Sequence, residues 1–249
     1  MRPVLVAVSS AAVLAVAMGC AGAPSTPRST DTAGAGRIGA VGNCYTASSA
    51  RAVDCSTDHM AQTVYVSDQP SDDRSTALVP CRQAQSDFLG QDFHTRLDVR
   101  LWVASDGSWS RCDLVLRTST AGNAYETITS TLENAFESGV PVGLRACLAD
   151  AYDPGHAQRY VPCTEQHAAE ELTVAPVLAP FDEPFPADVA ERAAEACNAS
   201  ADAAGMLDRH QTVVAFYPED ASAWSTGERT ADCWAIANEG TLPPVQEKG

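Results

Sequence analysis

The sequence predicts an α+β fold made of two tandem disulfide-stapled modules, each with a small antiparallel sheet and one main helix. Two observations predict it. Eight of the nine cysteines fall into two quartets, and the same motifs accompany the cysteines in the same order in both. The β-prone and helix-prone segments around the cysteines also follow the same order in both quartets. Such self-similarity over roughly 100 residues is typical of a duplicated module. The quartets are Cys44, Cys55, Cys81 and Cys112, then Cys147, Cys163, Cys197 and Cys233.

The second cysteine of each quartet opens a Cys-x3-His motif. The motif runs from Cys55 to His59 in the first module and from Cys163 to His167 in the second. We expect both histidines to be structural, because an imidazole can hydrogen-bond the adjacent loop and fix the way the chain enters the next strand.

The third cysteine of each quartet lies in a predicted helix. In the second module this helix covers 187–204, with Pro186 near its start and Gly205 after its end. Proline is tolerated in the first turn and glycine commonly ends a helix. In the first module the corresponding segment is 76–89, followed by Gly90.

Short β-prone stretches complete each module. The last two flank an acidic turn and a Trp-Ser pair, with Trp109 and Trp224 shortly before the fourth cysteine. We expect both indole rings to pack over a disulfide. His94 lies before the β-prone stretch 99–103, and His210 lies before the β-prone stretch 213–217. The predicted strands are 62–66, 99–103 and 112–116 in the first module and 171–174, 213–217 and 233–237 in the second.

Four cysteines per module in an exported chain predict two disulfides per module. Spacing alone allows three pairings. We favour first-to-second and third-to-fourth, because only 10 residues separate Cys44 from Cys55 and 15 separate Cys147 from Cys163. Closing a loop of that size contributes about 3 kcal/mol in the chain-entropy model.

The N-terminus predicts a lipoprotein signal peptide over residues 1–19. Arg2 precedes an apolar run over 4–18, which is too short for a membrane-spanning helix of about 20 residues. The run leads to Gly19 and Cys20 and resembles a bacterial lipobox, in which the cysteine is diacylated. Two acyl chains suffice for stable anchoring. We therefore expect lipidation of Cys20 and a protein held at the outer face of the cell membrane.

Composition separates the rest of the chain into a tether and two modules. Residues 20–40 are small, polar and free of aromatic side chains, so they predict a flexible tether. The first module is expected to cover 41–135 and the second 136–249.

The formal net charge of −16 limits the classes of partner. A surface this acidic repels nucleic acid, and no basic stripe is present to override the repulsion. We expect no nucleic acid, no metal and no cofactor. The expected partners are the membrane, through the lipid anchor, and an envelope protein or wall component whose identity the sequence does not show.

Several motifs together resemble one known family. Cys163 to Glu170 follows a Cys-Ser/Thr-x-x-His pattern with a downstream glutamate, and Trp224 to Arg229 gives Trp-x-x-Gly-x-Arg before Cys233. This resembles the septum-formation-related domain of exported and membrane-anchored actinobacterial proteins. The first module departs from the pattern, because Gln62 replaces the glutamate and Gly-x-Arg is missing after Trp109. The resemblance implies an extracytoplasmic α+β module of the cell envelope and the septum, and it implies no reaction.

Two alternatives use the Cys-x3-His motifs for chemistry. One is a metal site, because Cys and His at this spacing bind zinc. The other is a cell-wall-acting hydrolase, although a cysteine nucleophile needs a free thiolate and the chain has no Gly-x-Ser-x-Gly or His-Glu-x-x-His motif. Pairing His94 with Asp98, or His210 with Asp208, would give an acid–base pair. We favour a non-catalytic binding or scaffold protein.

Overall fold

The structure is a computed structural model that describes residues 39–46, 51–69, 71, 73–91, 93–180, 182–206, 211–221, 224 and 229–246. These residues belong to one compact unit. The expected signal peptide, Cys20 and nearly all of the expected tether lie outside the described residues, as do Asp208 and His210. No helix among the described residues has the length and apolar character needed to cross a membrane.

The first module contains one antiparallel sheet and one helix. Its five main strands lie in the order β2-β1-β3-β5-β4, and β6 pairs with the end of β5. The helix, α1, connects β3 to β4 and packs against the sheet. The elements are β1 Cys44–Tyr45, β2 Ala52–Val53, β3 Ala61–Ser67, α1 Arg74–Leu89, β4 Leu97–Val103, β5 Ser110–Arg117 and β6 Tyr125–Glu126.

The second module repeats this arrangement. Its strands lie in the order β8-β7-β9-β11-β10, which is the order of the first module with each strand replaced by its counterpart. All pairs are antiparallel, so the predicted α+β class of two sheet-and-helix modules is confirmed. The elements are a 3-10 turn at Val142–Leu144, β7 Cys147–Leu148, β8 Tyr160–Val161, β9 Ala169–Glu171, α2 Val189–Ala203, β10 Gln211–Phe216 and β11 Asp232–Ala237.

Local signals explain where the helices begin and end. Asp73 caps α1, because its carboxylate accepts a hydrogen bond from Thr76 N at 2.7 Å, so the helix begins two residues before the predicted start. Gly90 ends α1 with φ of 91°, a left-handed conformation that glycine adopts without strain. Gly205, with φ of 69°, follows α2.

One predicted strand lies at a different place. The β-prone stretch 171–174 was expected to be extended, but β9 covers Ala169–Glu171. After Glu171, Leu172 N still donates to Cys233 O, and then Thr173 O accepts from His94 N of the first module. Pairing with β7 and β11 thus places the strand at 169–171, and beyond Leu172 the chain contacts the first module instead of continuing the strand.

In each module one main core lies between the sheet and the helix. The first includes Val64, Cys81 and Leu114, and Phe136 is fully buried in it. Val140 and Leu144 also pack against this core. The expected boundary between residues 135 and 136 therefore cuts through the first core, because the chain crosses that core again before it enters the second sheet.

The second module has apolar groups on both faces of its sheet. The core between sheet and helix contains the buried α2 residues Ala193 and Cys197. On the opposite face, Trp234 of β11 lies beneath Tyr152, with ring centroids 4.4 Å apart and parallel planes. Tyr160 belongs to the same cluster. This small third core covers the sheet face that α2 leaves uncovered.

Candidate functional site

Disulfides hold both Cys-x3-His motifs. Cys44–Cys55 and Cys147–Cys163 join the first strand of each module to the start of its motif, with Cα atoms 5.3 and 5.4 Å apart. This is the pairing that the loop lengths favoured. A bridged sulfur is neither a thiolate nucleophile nor a metal ligand, so the two chemical alternatives lose their cysteine.

The other two disulfides join each helix to a strand of its sheet. Cys81 of α1 pairs with Cys112 of β5, and Cys197 of α2 pairs with Cys233 of β11. All four cysteines are buried within the cores. These two bridges fix each helix over its sheet. The bridges Cys44–Cys55 and Cys147–Cys163 fix each motif loop to the first strand of its module.

His59 and His167 occupy equivalent places. Both are buried, with 1% and 0% of their surface exposed. Nδ1 of His59 lies 2.8 Å from Thr57 O, and Nδ1 of His167 lies 2.9 Å from Glu165 O. Because a carbonyl only accepts, Nδ1 carries the hydrogen in both rings. Each ring therefore closes its own motif loop.

The backbone of each histidine also joins a distant segment to the loop. His59 N donates to Ile128 O at 2.9 Å, and Ile128 N donates back to His59 O at 2.7 Å. In the second module, Leu242 N donates to His167 O at 2.6 Å. The segment after the last long strand of each module is thereby attached to the motif. Both histidines thus serve as attachment points within the fold.

The two rings differ in what faces their other nitrogen. Nε2 of His167 lies 3.5 Å from Glu170 Oε2, and Glu170 Oε1 forms an ion pair with Arg145. Burial by itself lowers the pKa of His167, but hydrogen bonding to Glu170 and Glu165 O, with the negative charge of Glu170, raises it overall above its ordinary value. The second module therefore holds a buried imidazole whose protonated form is stabilised by Glu170.

Gln62 takes the place of Glu170 in the first module. Gln62 pairs with Leu114 and Glu170 pairs with Ala235, and each of these partners lies two residues after the fourth cysteine of its module. Its amide nitrogen donates to Gly42 O at 3.2 Å and to Thr131 Oγ1 at 3.0 Å, and its oxygen accepts from Leu132 N at 2.7 Å. An amide both donates and accepts, so it satisfies these partners without charge.

The two tryptophans of the Trp-Ser pairs have different environments. Trp224 is buried in the core that contains the Cys197–Cys233 disulfide, and its Nε1 donates to Glu183 O at 2.8 Å. Trp109 is half-buried in the turn between β4 and β5 and is not part of the first core. The packing expected over both disulfides therefore occurs only around Trp224.

A buried carboxylate lies on the first sheet, opposite α1. Asp113 Oδ1 accepts from Thr63 Oγ1 at 2.7 Å, and Oδ2 accepts from Arg111 Nε at 3.1 Å. Burial raises the pKa of this carboxyl, although Arg111 and Thr63 oppose the shift. The Arg111 guanidinium also lies 4.1 Å from the centroid of the Tyr45 ring. The group is internally satisfied and belongs to the packing of this face.

The two modules meet at a cluster of titratable side chains. His94, from the chain just before β4, places Nδ1 3.2 Å from Glu171 Oε1 of β9 and 3.2 Å from Asp232 Oδ1 of β11. Burial raises the pKa of both carboxyls, and His94 opposes the shift in each case. The alternative pairing of His94 with Asp98 does not form, because Asp98 is exposed and accepts from Val99 N.

Sequence reasoning missed Glu171 and Asp232 as partners of His94. They lie 77 and 138 positions further along the chain, and each looks like an ordinary acidic residue beside a strand. Only the pairing of β9 with β11 and the contact between modules bring them to His94. No spacing pattern in the sequence could have identified this cluster.

Comparison with known families decides the classification. A family model described as septum formation matches residues 41–233, which is more than three quarters of the 249-residue chain. The chain belongs to the septum formation family. No curated protein and no solved structure matches it.

The region shared with the septum formation family contains all eight bridged cysteines and both motif histidines. It ends at Cys233, and a single match covers both modules. His94, Glu171 and Asp232 also lie inside this region. The disulfides and the family together fit an extracellular or envelope protein.

Proposed function

We propose that this member of the septum formation family is a lipid-anchored, extracytoplasmic scaffold of the cell envelope that acts without catalysis near the division septum. Lipidation at Cys20 would hold it at the membrane, and 20–40 would space the modules from the bilayer. A protein or wall component would be its partner. The observation that carries the proposal is that each Cys-x3-His motif is used to tie the fold together, through its disulfide and through its histidine.

Duplication of one module is part of this proposal. The two sheets share their strand order, and each module has the same two disulfide pairings. In both, histidine Nδ1 faces the carbonyl two residues earlier, at Thr57 and Glu165. These shared features support descent of both modules from one ancestor, and they extend the sequence correspondence into three dimensions.

The absence of catalysis is inferred from how the motif residues are used. Cys55 and Cys163 are bridged, and His59 and His167 are buried with Nδ1 committed to a backbone carbonyl. A nucleophile–base pair needs a free thiolate and an imidazole that can reach the substrate. This use of the residues favours a scaffold over a hydrolase.

The anchoring is tested with the variant Cys20→Ser in the native host. We expect the wild-type protein in the membrane fraction, with an N-terminal peptide whose mass includes acyl chains, and the variant outside that fraction. Wild-type protein that lacks acyl chains would contradict the anchor.

The septal role is tested by deleting the gene and scoring septum position and frequency by microscopy. Wild type should restore normal septation, and Cys20→Ser should not if anchoring is needed. As a matched test of catalysis, purified protein should release no fragments from isolated cell wall. Normal septation in the deletion strain would overturn the septal role, and fragment release would overturn the scaffold.

A further inference from the structure

We propose that His94, Glu171 and Asp232 form a binding site for a divalent cation of the zinc type at the contact between the two modules. This inference goes beyond the proposed function. It uses none of the Cys-x3-His residues, and it depends on side chains that converge only in the folded chain.

The ligand atoms have the separations that a compact metal site requires. His94 Nδ1 lies 3.2 Å from one oxygen of each carboxylate, and all three atoms lie within 4.8 Å of one another. Zinc binds imidazole nitrogen and carboxylate oxygen at about 2.0–2.2 Å, which places neighbouring tetrahedral ligands roughly 3.3 Å apart. A cation could therefore bind among these atoms with small side-chain adjustments.

A simple ion pair does not account for the whole cluster. Nδ1 carries at most one hydrogen, yet two carboxylate oxygens lie at the same distance from it. Glu171 makes the hydrogen bond, and Asp232 is left as a second acceptor facing the same nitrogen. When both carboxyls are ionised, even a protonated imidazole leaves the three side chains with a net charge of −1, and a dication would compensate for both carboxylates.

Among the described residues, no cationic side chain other than His94 forms an ion pair with Glu171 or Asp232. Arg117 attracts Glu171 electrostatically, but the ion pair found for Glu171 among the described residues is with His94, and Arg117 Nη2 instead donates to Thr120 O. Tyr152 and Tyr160 also lie near enough to interact with Glu171, and both are neutral because burial and the nearby acids raise the pKa of each phenol. Among the described residues, Arg117 is thus the one other cation that acts on Glu171.

The backbone holds the three ligands in place before any ion binds. Trp234 pairs with Glu171 across β9 and β11, and Asp232 lies two residues before Trp234, so the two acids share one face of the sheet. His94 N donates to Thr173 O at 2.8 Å, which fixes the third ligand against the second module. Ligands on rigid elements reduce the entropy that binding would otherwise cost.

The donor set selects the kind of cation. Calcium takes six to eight oxygen ligands, and magnesium prefers oxygen ligands including several waters. One imidazole with two carboxylates suits zinc, which accepts three protein ligands and keeps a fourth position for water. Half of the Asp232 side chain is exposed, which leaves solvent access to that fourth position.

A second group of metal-binding residue types is less suitable. Cys147, His167 and Glu170 are close together and buried. Cys147 is bridged to Cys163, however, and Glu170 is paired with Arg145. This group offers two ligand side chains at most, and one of them already has a cationic partner.

The test uses the full chain, purified in detergent and stripped of metal with a chelator that is then removed. Zn²⁺ binding is measured by titration calorimetry, and Co²⁺ binding is followed by visible absorption, which reports the ligand geometry. The variants are His94→Gln and Asp232→Asn. The matched control is His156→Gln, because His156 pairs with Asp153 at 2.7 Å on the exposed surface without a third ligand.

We expect one zinc ion per chain for the wild type and for His156→Gln, and at least tenfold weaker binding for both site variants. Zinc should also raise the thermal midpoint of the wild type and leave that of the site variants unchanged. Far-UV circular dichroism reports whether the variants fold, and Asp232→Asn decides the question if His94→Gln does not. Zinc binding that is absent in the wild type, or equal in wild type and Asp232→Asn, would overturn the site.

Discussion

At the residue scale, one exchange distinguishes the two motif sites. His59 and His167 close their loops with the same hydrogen bond, but the side chain beside them is neutral Gln62 in the first module and Glu170 in the second. The amide of Gln62 bonds to backbone and hydroxyl groups. The carboxylate of Glu170 pairs with Arg145 and favours the protonated form of His167, whose pKa it raises. The second site therefore couples stability to the charge of its histidine.

This difference predicts a pH dependence for His167→Gln. The pKa of His167 is raised in the folded state, so its stabilising contribution is complete below the unfolded value of about 6.5 and is lost as pH rises through the folded value. The variant should lose about 1–3 kcal/mol of unfolding free energy at pH 5.5. The loss should be smaller at pH 8.5. Urea unfolding in metal-free buffer measures both.

The exposed His156→Gln variant controls for general effects of pH, since its side chain contacts only Asp153 among the described hydrogen-bonding partners. A loss for His167→Gln that is larger at pH 8.5 than at pH 5.5 would contradict the assignment of the charged imidazole.

At the scale of elements, the disulfides divide into two kinds. One kind closes a short loop at the sheet edge, as between Cys44 and Cys55, which are 11 positions apart. The other joins helix to sheet over a longer stretch, as between Cys197 and Cys233, which are 36 positions apart. The buried face of α2 consists largely of small side chains such as Ala193 and Ala201, so few large side chains add to what its disulfide contributes.

Removing the two kinds of disulfide should therefore have different effects. In the chain-entropy model, the double variant Cys44→Ala/Cys55→Ala loses about 3 kcal/mol and Cys197→Ala/Cys233→Ala loses about 4 kcal/mol. The second pair also leaves space in the core, which adds to its loss. Chemical denaturation of both variants measures the order, and a larger loss for the Cys44–Cys55 pair would contradict it.

At the scale of the whole molecule, backbone hydrogen bonds join the two modules. Thr120 N donates to Gln158 O at 2.8 Å, and Tyr160 N donates to Thr118 O at 2.9 Å. Arg96 N donates to Leu144 O at 2.9 Å. The segment that follows residue 135 packs into the first core before it enters the second sheet. Because strand ends and cores are shared in this way, we expect the modules to unfold together.

Phe136→Ala tests this cooperation. The side chain is fully buried in the first core, so its truncation should reduce the unfolding free energy by about 3–5 kcal/mol. Calorimetry should show one transition for the wild type and one, at a lower temperature, for the variant. The control is Phe185→Ala in the second module, whose half-buried ring should give a smaller loss. Two separate transitions, with only one shifted by Phe136→Ala, would show that the modules are independent.

The sequence by itself determined the parts that depend on local patterns. The cysteine quartets, the apolar face of α2 through Val189, Ala193 and Cys197, and the ends of both helices near Gly90 and Gly205 all follow from spacing and from the conformational freedom of glycine. The α+β class follows from the same signals. Loop length also favoured the disulfide pairing, because short loops close with the smallest loss of chain entropy.

Only the tertiary structure decided the features that join distant parts of the chain. The start of β9 depends on its pairing with β7 and β11, whereas the return of Phe136 to the first core and the convergence of His94, Glu171 and Asp232 depend on how the two modules pack. Local propensity contributes at most about 1 kcal/mol per residue to the choice of strand, and pairing with β7 and β11 decides where β9 lies. Residues far apart in the sequence have no pattern that marks them as neighbours, so their meeting is a property of the packed molecule.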